Sequence, residues 1–189
     1  MPLAKRTPKL KDLKVAWYAD DGMAKPTHAI ATVVRSAARA LADAGCDVTE
    51  ARPPGLHEAH QVTLGYWGDK RMSHDRLFKR WDAFRSGMLG FMSDFDLILS
   101  PVAPDIAPPY RAKVVPAHLF SYTIPYSLSG NPCVVVRAGT SSEGLPIGVQ
   151  LTGVRTIDGA FRLGFGRDQS DANLLDTIRT ILGRAGANA

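Results

Sequence analysis

Gly139-Thr140-Ser141-Ser142-Glu143-Gly144 sets two adjacent serines between glycines, an arrangement in which a serine hydroxyl could serve as a nucleophile. Such a hydroxyl needs a base, and the nearest candidates along the chain are Lys113 and His118. The same residues make a tight turn, with Gly144 able to take a positive φ, and turn chemistry accounts for the whole composition. The spacing of a G-x-S-x-G nucleophile elbow is not met. His57-Glu58-Ala59-His60 has the ingredients of a zinc-protease helix, but that chemistry needs histidines four apart with two residues after the glutamate. Here they stand three apart without a third ligand, so no metal is expected. Gly164-Phe165-Gly166 lacks both a third glycine and a preceding strand, so no dinucleotide or other cofactor is expected. Cys46 and Cys133 each lie in apolar, strand-like surroundings and are expected to be buried free thiols in a reducing cytosol.

The elements that must position these groups are legible as changes of period. Lys14 to Tyr18 reads as a short strand and Asp20-Asp21-Gly22 as a turn. Thr27 caps a helix expected over 28–44, whose apolar residues Ile30, Val33, Val34, Ala37, Leu41 and Ala44 recur at helical spacing before Gly45. Cys46 to Glu50 follows as a strand. A strand, helix and strand of this length predict a right-handed βαβ unit with parallel strands. After Pro53-Pro54-Gly55 a helix is expected over 57–65. A second carries Leu77, Phe78, Trp81, Phe84, Met88 and Met92 as an aromatic stripe expected to be core.

Asp96 to Leu99 reads as a buried strand running into Ser100-Pro101. Pro101, Pro104, Pro108, Pro109, Pro116 and Pro125 are six of the chain's 13 prolines, and the long loop they make suggests a functional rim or lid. From Tyr122 to Pro132 a loop and turn are expected. A buried strand at Cys133 to Val136, the turn from Thr140 to Pro146 and a strand at Ile147 to Leu151 complete an antiparallel hairpin. Val154 to Asp168 reads as loop. A last helix is capped at Ser170 or Asp171, carries Leu174, Leu175, Ile178, Ile181 and Leu182, and stops at Gly183.

The 189 residues fit one domain able to bury a core, with 45% hydrophobic and 22% charged residues. No uninterrupted apolar run of about 18 residues exists, so no membrane span is expected, and the basic N-terminus lacks the apolar core of a secretory signal. The net charge of +5 raises the question of nucleic acid. The cations are dispersed: Lys5, Arg6, Lys9, Lys11 and Lys14 at the start, then Arg71, Arg76, Lys79, Arg80 and Arg85 interleaved with Asp69, Asp75 and Asp82. Mixtures of this kind are solvated helix faces, and no nucleic-acid partner is expected. No internal repeat or low-complexity tract occurs.

The segments SLSGNPCVVVRAG, EGLPIGVQLTG and FDLILSPVAPDIAPP together resemble the C-terminal part of the amidase signature family, in the family's order, over about Leu13 to Gly153. The resemblance implies an α/β fold, a mixed β-sheet flanked by helices, incomplete relative to the family. It divides the chain into a basic flexible N-terminus (1–12), the amidase-signature-like domain (13–153) and a divergent loop with a C-terminal helix (154–189). Family enzymes hydrolyse amides with a serine nucleophile, a second serine and a neutral lysine that accepts the relayed proton. Their Gly/Ser-rich loop has no counterpart in these 189 residues, so no catalytic residue is assigned.

What the resemblance does carry over is a substrate-binding wall on the acyl side: Ser100, Pro101, Tyr122, Thr123, Ser127, Ser129, Gly130 and Asn131. The expected function is that of a truncated amidase-signature hydrolase relative acting on small amide or ester substrates. The alternative is a non-catalytic half-domain that oligomerises or pairs with a separate N-terminal half. A cut sheet exposes strand edges and apolar helix faces, so a cytoplasmic homo-oligomer is expected, with a sheet edge or the helix carrying residues 77–92 in its interface.

Overall fold

The computed structural model describes residues 9–67, 72–110, 117–153 and 169–187. Its centre is a five-stranded mixed sheet in the order β2-β1-β3-β5-β4, built from β1 (Lys14–Trp17), β2 (Asp47–Glu50), β3 (Leu97–Pro101), β4 (Cys133–Thr140) and β5 (Pro146–Gly153). β1 pairs parallel with both β2 and β3, while β5 runs antiparallel to β3 and to β4. The helices are α1 (His28–Asp43), α2 (Leu56–Trp67), α3 (His74–Phe91), α4 (Ile124–Ser129) and α5 (Gln169–Ala187).

Alternation along the strands sorts the core into two layers. Val15, Leu97 and Leu99 point into a cluster with Val33, Val34, Ala37 and Leu41 of α1 and with Ile178 and Leu182 of α5. Their neighbours Ala16 and Ile98 point the other way, among Leu56 and Ala59 of α2, Phe84 and Met88 of α3, and Tyr122 and Tyr126. The Thr27 hydroxyl accepts the Ile30 N–H at the start of α1, and Gly45, at φ 98°, turns the chain out of it. α1 lies so close to β4 that a Cβ on Gly139 would stand 2.5 Å from Val33 Cγ2. The parallel βαβ unit and the hairpin are therefore present as expected.

Several elements differ from the sequence reading. The segment expected as loop from Tyr122 to Pro132 contains α4, opened by Pro125 in its first turn and closed by Gly130 at φ 72°. β4 is an edge strand, so Val135 is 55% exposed where the valine run predicts burial. In α3 Leu77, Phe84 and Met88 are buried, but Phe78 is 50% exposed and Trp81 half-buried. Those two rings stack on each other, and Tyr66 of α2 packs edge-on to Trp81 at the outer surface. Cys46 is buried, whereas Cys133, on the open edge strand, is exposed; both are free thiols. α5 begins before Ser170 and runs through Gly183, where nothing approaches within 4 Å of the Cβ position. An exposed glycine costs a helix only about 1 kcal/mol and does not stop it. Leu10–Asp12 make a 3-10 turn and Leu10 packs against the core, while residues 1–8 of the segment expected to be flexible lie outside the described residues. The loop expected over 154–168 lies outside the described residues.

Candidate functional site

The chain leaves β1 through α1 to β2 on one side and returns through α2 and α3 to β3 on the other. The carboxyl ends of β1 and β3 therefore form a switch point, where open α/β sheets present their ligand crevice. Tyr18 to Asp21 leave β1 there, and Ser100-Pro101 end β3 beside them. Thr27 N–H donates to the Pro104 carbonyl at 2.8 Å, tying the loop after β1 to the loop after β3.

Beneath this edge lies a buried polar network. The Tyr18 and Tyr126 hydroxyls share a hydrogen bond of 2.8 Å. The Tyr122 hydroxyl stands 2.9 Å from the Ala24 carbonyl and 3.2 Å from that of Ala19, and accepts the Asp21 N–H at 3.3 Å. Gln150 on β5 donates to the Ser100 hydroxyl at 3.5 Å and to the Tyr122 carbonyl at 3.4 Å. Burial pushes all three phenols above their ordinary range, since a phenolate would lose its hydration here. The neighbouring Tyr126 adds to the shift at Tyr18, and the Asp21 carboxylate adds to it at Tyr122. The network is a neutral scaffold for whatever sits above it. Asp21 is 4% exposed; its Oδ1 accepts the Met23 and Ala24 N–H groups, which fix the loop after β1.

α4 divides the expected wall residues by helical phase. Tyr122, Tyr126 and Ser129 face the sheet and are buried, while Thr123, Ser127 and Gly130, about 100° further round the helix, are half-buried or exposed. Trp81 of α3 holds the helix down by donating its indole N–H to the Leu128 carbonyl at 2.8 Å. Of the expected residues, Ser100, Pro101, Tyr122 and Thr123 gather at the switch-point edge. Ser129, Gly130 and Asn131 sit toward the other end of the sheet. There Asn131 donates to the Gly153 carbonyl at 2.8 Å, and Gly153 pairs with Leu97 at the start of β3. Four residues of strand, about 13 Å, separate the two groups. Ser127 is exposed between them on α4. The sequence reading missed Tyr18, Tyr126 and Gln150. The spacing of Tyr122 and Tyr126, one helical turn apart inside a short Pro-to-Gly segment, was the available signal.

The other chemical candidates resolve into structural roles. Ser141 Oγ accepts the Glu143 and Leu145 N–H groups at 3.3 and 3.1 Å, so it closes the hairpin turn, and Ser142 is exposed beside it. Glu58 of the His-Glu-Ala-His stretch makes a two-pronged ion pair with Arg80, one prong at 2.7 Å, joining α2 to α3. The guanidinium holds the Glu58 carboxyl below its ordinary range. Among the described residues no serine hydroxyl is hydrogen-bonded to a lysine or histidine; His118 is exposed, and Lys113 lies outside the described residues. No helix among the described residues is long and apolar enough to cross a membrane.

Residues 69–160 match the family model described as Amidase. One of the subunits of the glutamyl-tRNA(Gln) amidotransferase of Wolinella succinogenes is 41% identical over 78 residues, which is 37% of this chain and 17% of that protein. An acylamidase of Rhodococcus erythropolis is 25% identical over 185 residues, covering 75% of this chain and 39% of its own length. Among solved structures, fatty acid amide hydrolase superposes with a TM-score of 0.71 at 20% identity, over 98% of this chain and 42% of that one; at that identity the likeness is one of fold. The chain thus spans under half the length of the relatives it matches.

Proposed function

The chain is a partial amidase-signature protein, and from that premise we propose that it serves in hydrolysis of amide or ester bonds of small substrates by supplying the wall that holds the acyl side. The observation that carries this reading is the outer strip of α4 inside the matched region. Ser127 presents an exposed hydroxyl there, flanked by Thr123, whose hydroxyl donates to the Phe120 carbonyl at 3.1 Å, and by Gly130, whose N–H caps the helix on the Tyr126 carbonyl, above the buried tyrosine network. Ser100, Pro101 and Tyr122 position that strip from the switch-point edge, and Ser129 and Asn131 anchor its far end. In this reading a separate polypeptide supplies the nucleophile and its lysine, since the Gly/Ser-rich loop of amidase-signature enzymes has no counterpart in the sequence. The same reading places the protein in the cytoplasm, in keeping with its free thiols, and makes it a homo-oligomer.

The test is to co-produce the chain with a polypeptide carrying an amidase Gly/Ser-rich loop and lysine, and to measure hydrolysis of chromogenic amides. The pair should hydrolyse them. Ser127→Ala should raise KM several-fold with kcat nearly unchanged, as expected for loss of ground-state binding. A pair that is active while Thr123→Ala and Ser127→Ala leave both constants untouched would remove α4 from the substrate wall.

A further inference from the structure

α4 has six residues, far short of the length at which a helix holds itself in water, so its phase on the sheet is set by its anchors. Trp81 holds Leu128 near its end, Tyr18 meets Tyr126 in its middle, and Tyr122, just before the N-cap Thr123, ties its start. That last anchor reaches into a single loop. The Tyr122 hydroxyl donates to the Ala24 carbonyl at 2.9 Å, stands 3.2 Å from the Ala19 carbonyl and accepts the Asp21 N–H at 3.3 Å. Carbonyls at both ends of the loop converge on one oxygen because the chain doubles back between them. Asp20 Oδ1 accepts the Gly22 N–H at 2.8 Å, and Gly22 turns at φ 79°. Asp21 Oδ1 then accepts both the Met23 and the Ala24 N–H, at 2.7 and 2.8 Å, which aims the Ala24 carbonyl back toward Tyr122. The other carboxylate oxygen, Oδ2, is buried and has no hydrogen-bond partner among the described residues.

We propose that Asp21 is a positioning residue for the substrate wall. Through Oδ1 it shapes the loop after β1 into a socket for the Tyr122 hydroxyl, and so sets the first turn of α4 and the direction of Ser127. It touches no substrate and acts through Tyr122. Every link is a hydrogen bond between described residues, from the Asp21 carboxylate to the Ala24 N–H, from the Ala24 carbonyl to the Tyr122 hydroxyl, and from the Thr123 carbonyl to the Ser127 N–H. Only one carboxylate oxygen takes part. Asparagine carries the same acceptor without the charge, so it should replace Asp21, whereas alanine removes the acceptor altogether. Burying a charge beside an idle oxygen also costs stability, so the asparagine variant should be no less stable than wild type. The far end of α4 hangs on Trp81 and on Asn131, bonded to the Gly153 carbonyl, and should not respond. This inference rests on the reading of α4 as a substrate wall and deepens it by naming what orients that wall.

The test is amide hydrogen exchange, read residue by residue by NMR on the full chain. The Met23 and Ala24 amides report the loop, Ser127 the first turn of α4, and Gly130, bonded to the Tyr126 carbonyl at 3.0 Å, the far end. Asp21→Ala should speed exchange about tenfold at Met23, Ala24 and Ser127 while Gly130 and the amides of α1 stay as in wild type. Asp21→Asn should restore all three. Tyr122→Phe should speed Ser127 alone, because Met23 and Ala24 keep Asp21 Oδ1. Freed loop amides beside an unchanged Ser127 would overturn the proposal, leaving Asp21 as the cap of its own loop. An asparagine variant that behaves like alanine would overturn the assignment to Oδ1. Should Asp21→Ala unfold the whole chain, Tyr122→Phe decides, and an unchanged Ser127 there overturns the link. In the co-produced pair Asp21→Ala should raise KM with kcat nearly unchanged. Exchange is read without substrate, so a failed coupling leaves the wall standing, whereas an intact coupling beside an unaltered KM would remove α4 from the wall.

Discussion

Removing the Tyr126 hydroxyl tests the network that holds α4. Tyr126 is 1% exposed and Tyr18 3%, and their hydroxyls meet at 2.8 Å. Tyr126→Phe keeps the ring and its packing but takes from the Tyr18 hydroxyl its 2.8 Å partner, leaving it only Ser100, which costs about 1–2 kcal/mol. Tyr18→Phe leaves the Tyr126 hydroxyl in the same position and should cost about as much. The double variant removes both polar groups at once, so its cost should fall well short of the two singles combined, by about 1–2 kcal/mol. Urea unfolding followed by tryptophan fluorescence measures each corner of the cycle; for a chain of this size about 1 kcal/mol also moves Tm by roughly 2–4 °C.

The phenols add a pH signature. Their folded pKa values are raised, so the stability they contribute is full below the unfolded value of about 10 and is lost as pH rises toward the folded values. Each buried tyrosine should contribute about 1.4 kcal/mol of loss per pH unit above about 10, and the double variant should flatten that decline. Additive single effects, within about 0.5 kcal/mol, together with an unchanged alkaline limb would refute the network.

Three further expectations follow from packing and charge. Arg80→Ala should destabilise the α2–α3 pair by about 1 kcal/mol at neutral pH, read from denaturant midpoints. Because Glu58 has a lowered folded pKa, that stability is present above its unfolded value of about 4.3 and is lost as pH falls through the folded one, so wild type and Arg80→Ala should converge in acid. Gly139→Ala should cost about 1–3 kcal/mol in thermal unfolding, since the new methyl would meet Val33 Cγ2 and force α1 away from β4. In the hairpin turn, Ser141→Ala should lose about 1 kcal/mol by freeing two N–H groups, whereas Ser142→Ala should stay within about 0.5 kcal/mol.

Local signals made most of the frame legible in the sequence. Thr27 and Gly45 bracket α1, the apolar period of α1 marks its buried face, and Gly144, at φ 80°, marks the hairpin turn. The errors arise where one local pattern fits two tertiary contexts. A run of three valines suits a buried central strand and an open edge strand alike, and only the strand order distinguishes them at Val135. Phe78 and Trp81 satisfy the helical stripe, but α2 covers only part of it, leaving the rings to stack on each other outside. α4 escaped because a six-residue helix has too few turns to show a period.

The candidate wall was only half legible. Its residues could be named from motif resemblance, but which of them face outward depends on the phase of α4. The separation of Ser100 from Asn131 depends on the antiparallel register of β3 and β5. Gln150 alternates with Val149 and Leu151, so period alone sets it on a polar face; its burial follows from Tyr122, just before α4, lying over that face and accepting its amide.

The central claim is that this chain holds substrate and does not activate a nucleophile. Hydrolysis of chromogenic amides and esters by the purified chain, alongside Ser127→Ala and Ser142→Ala, tests it most directly. The account predicts background rates that neither substitution changes. Turnover abolished by either serine change, with the fold intact, would contradict it and identify a nucleophile within these 189 residues.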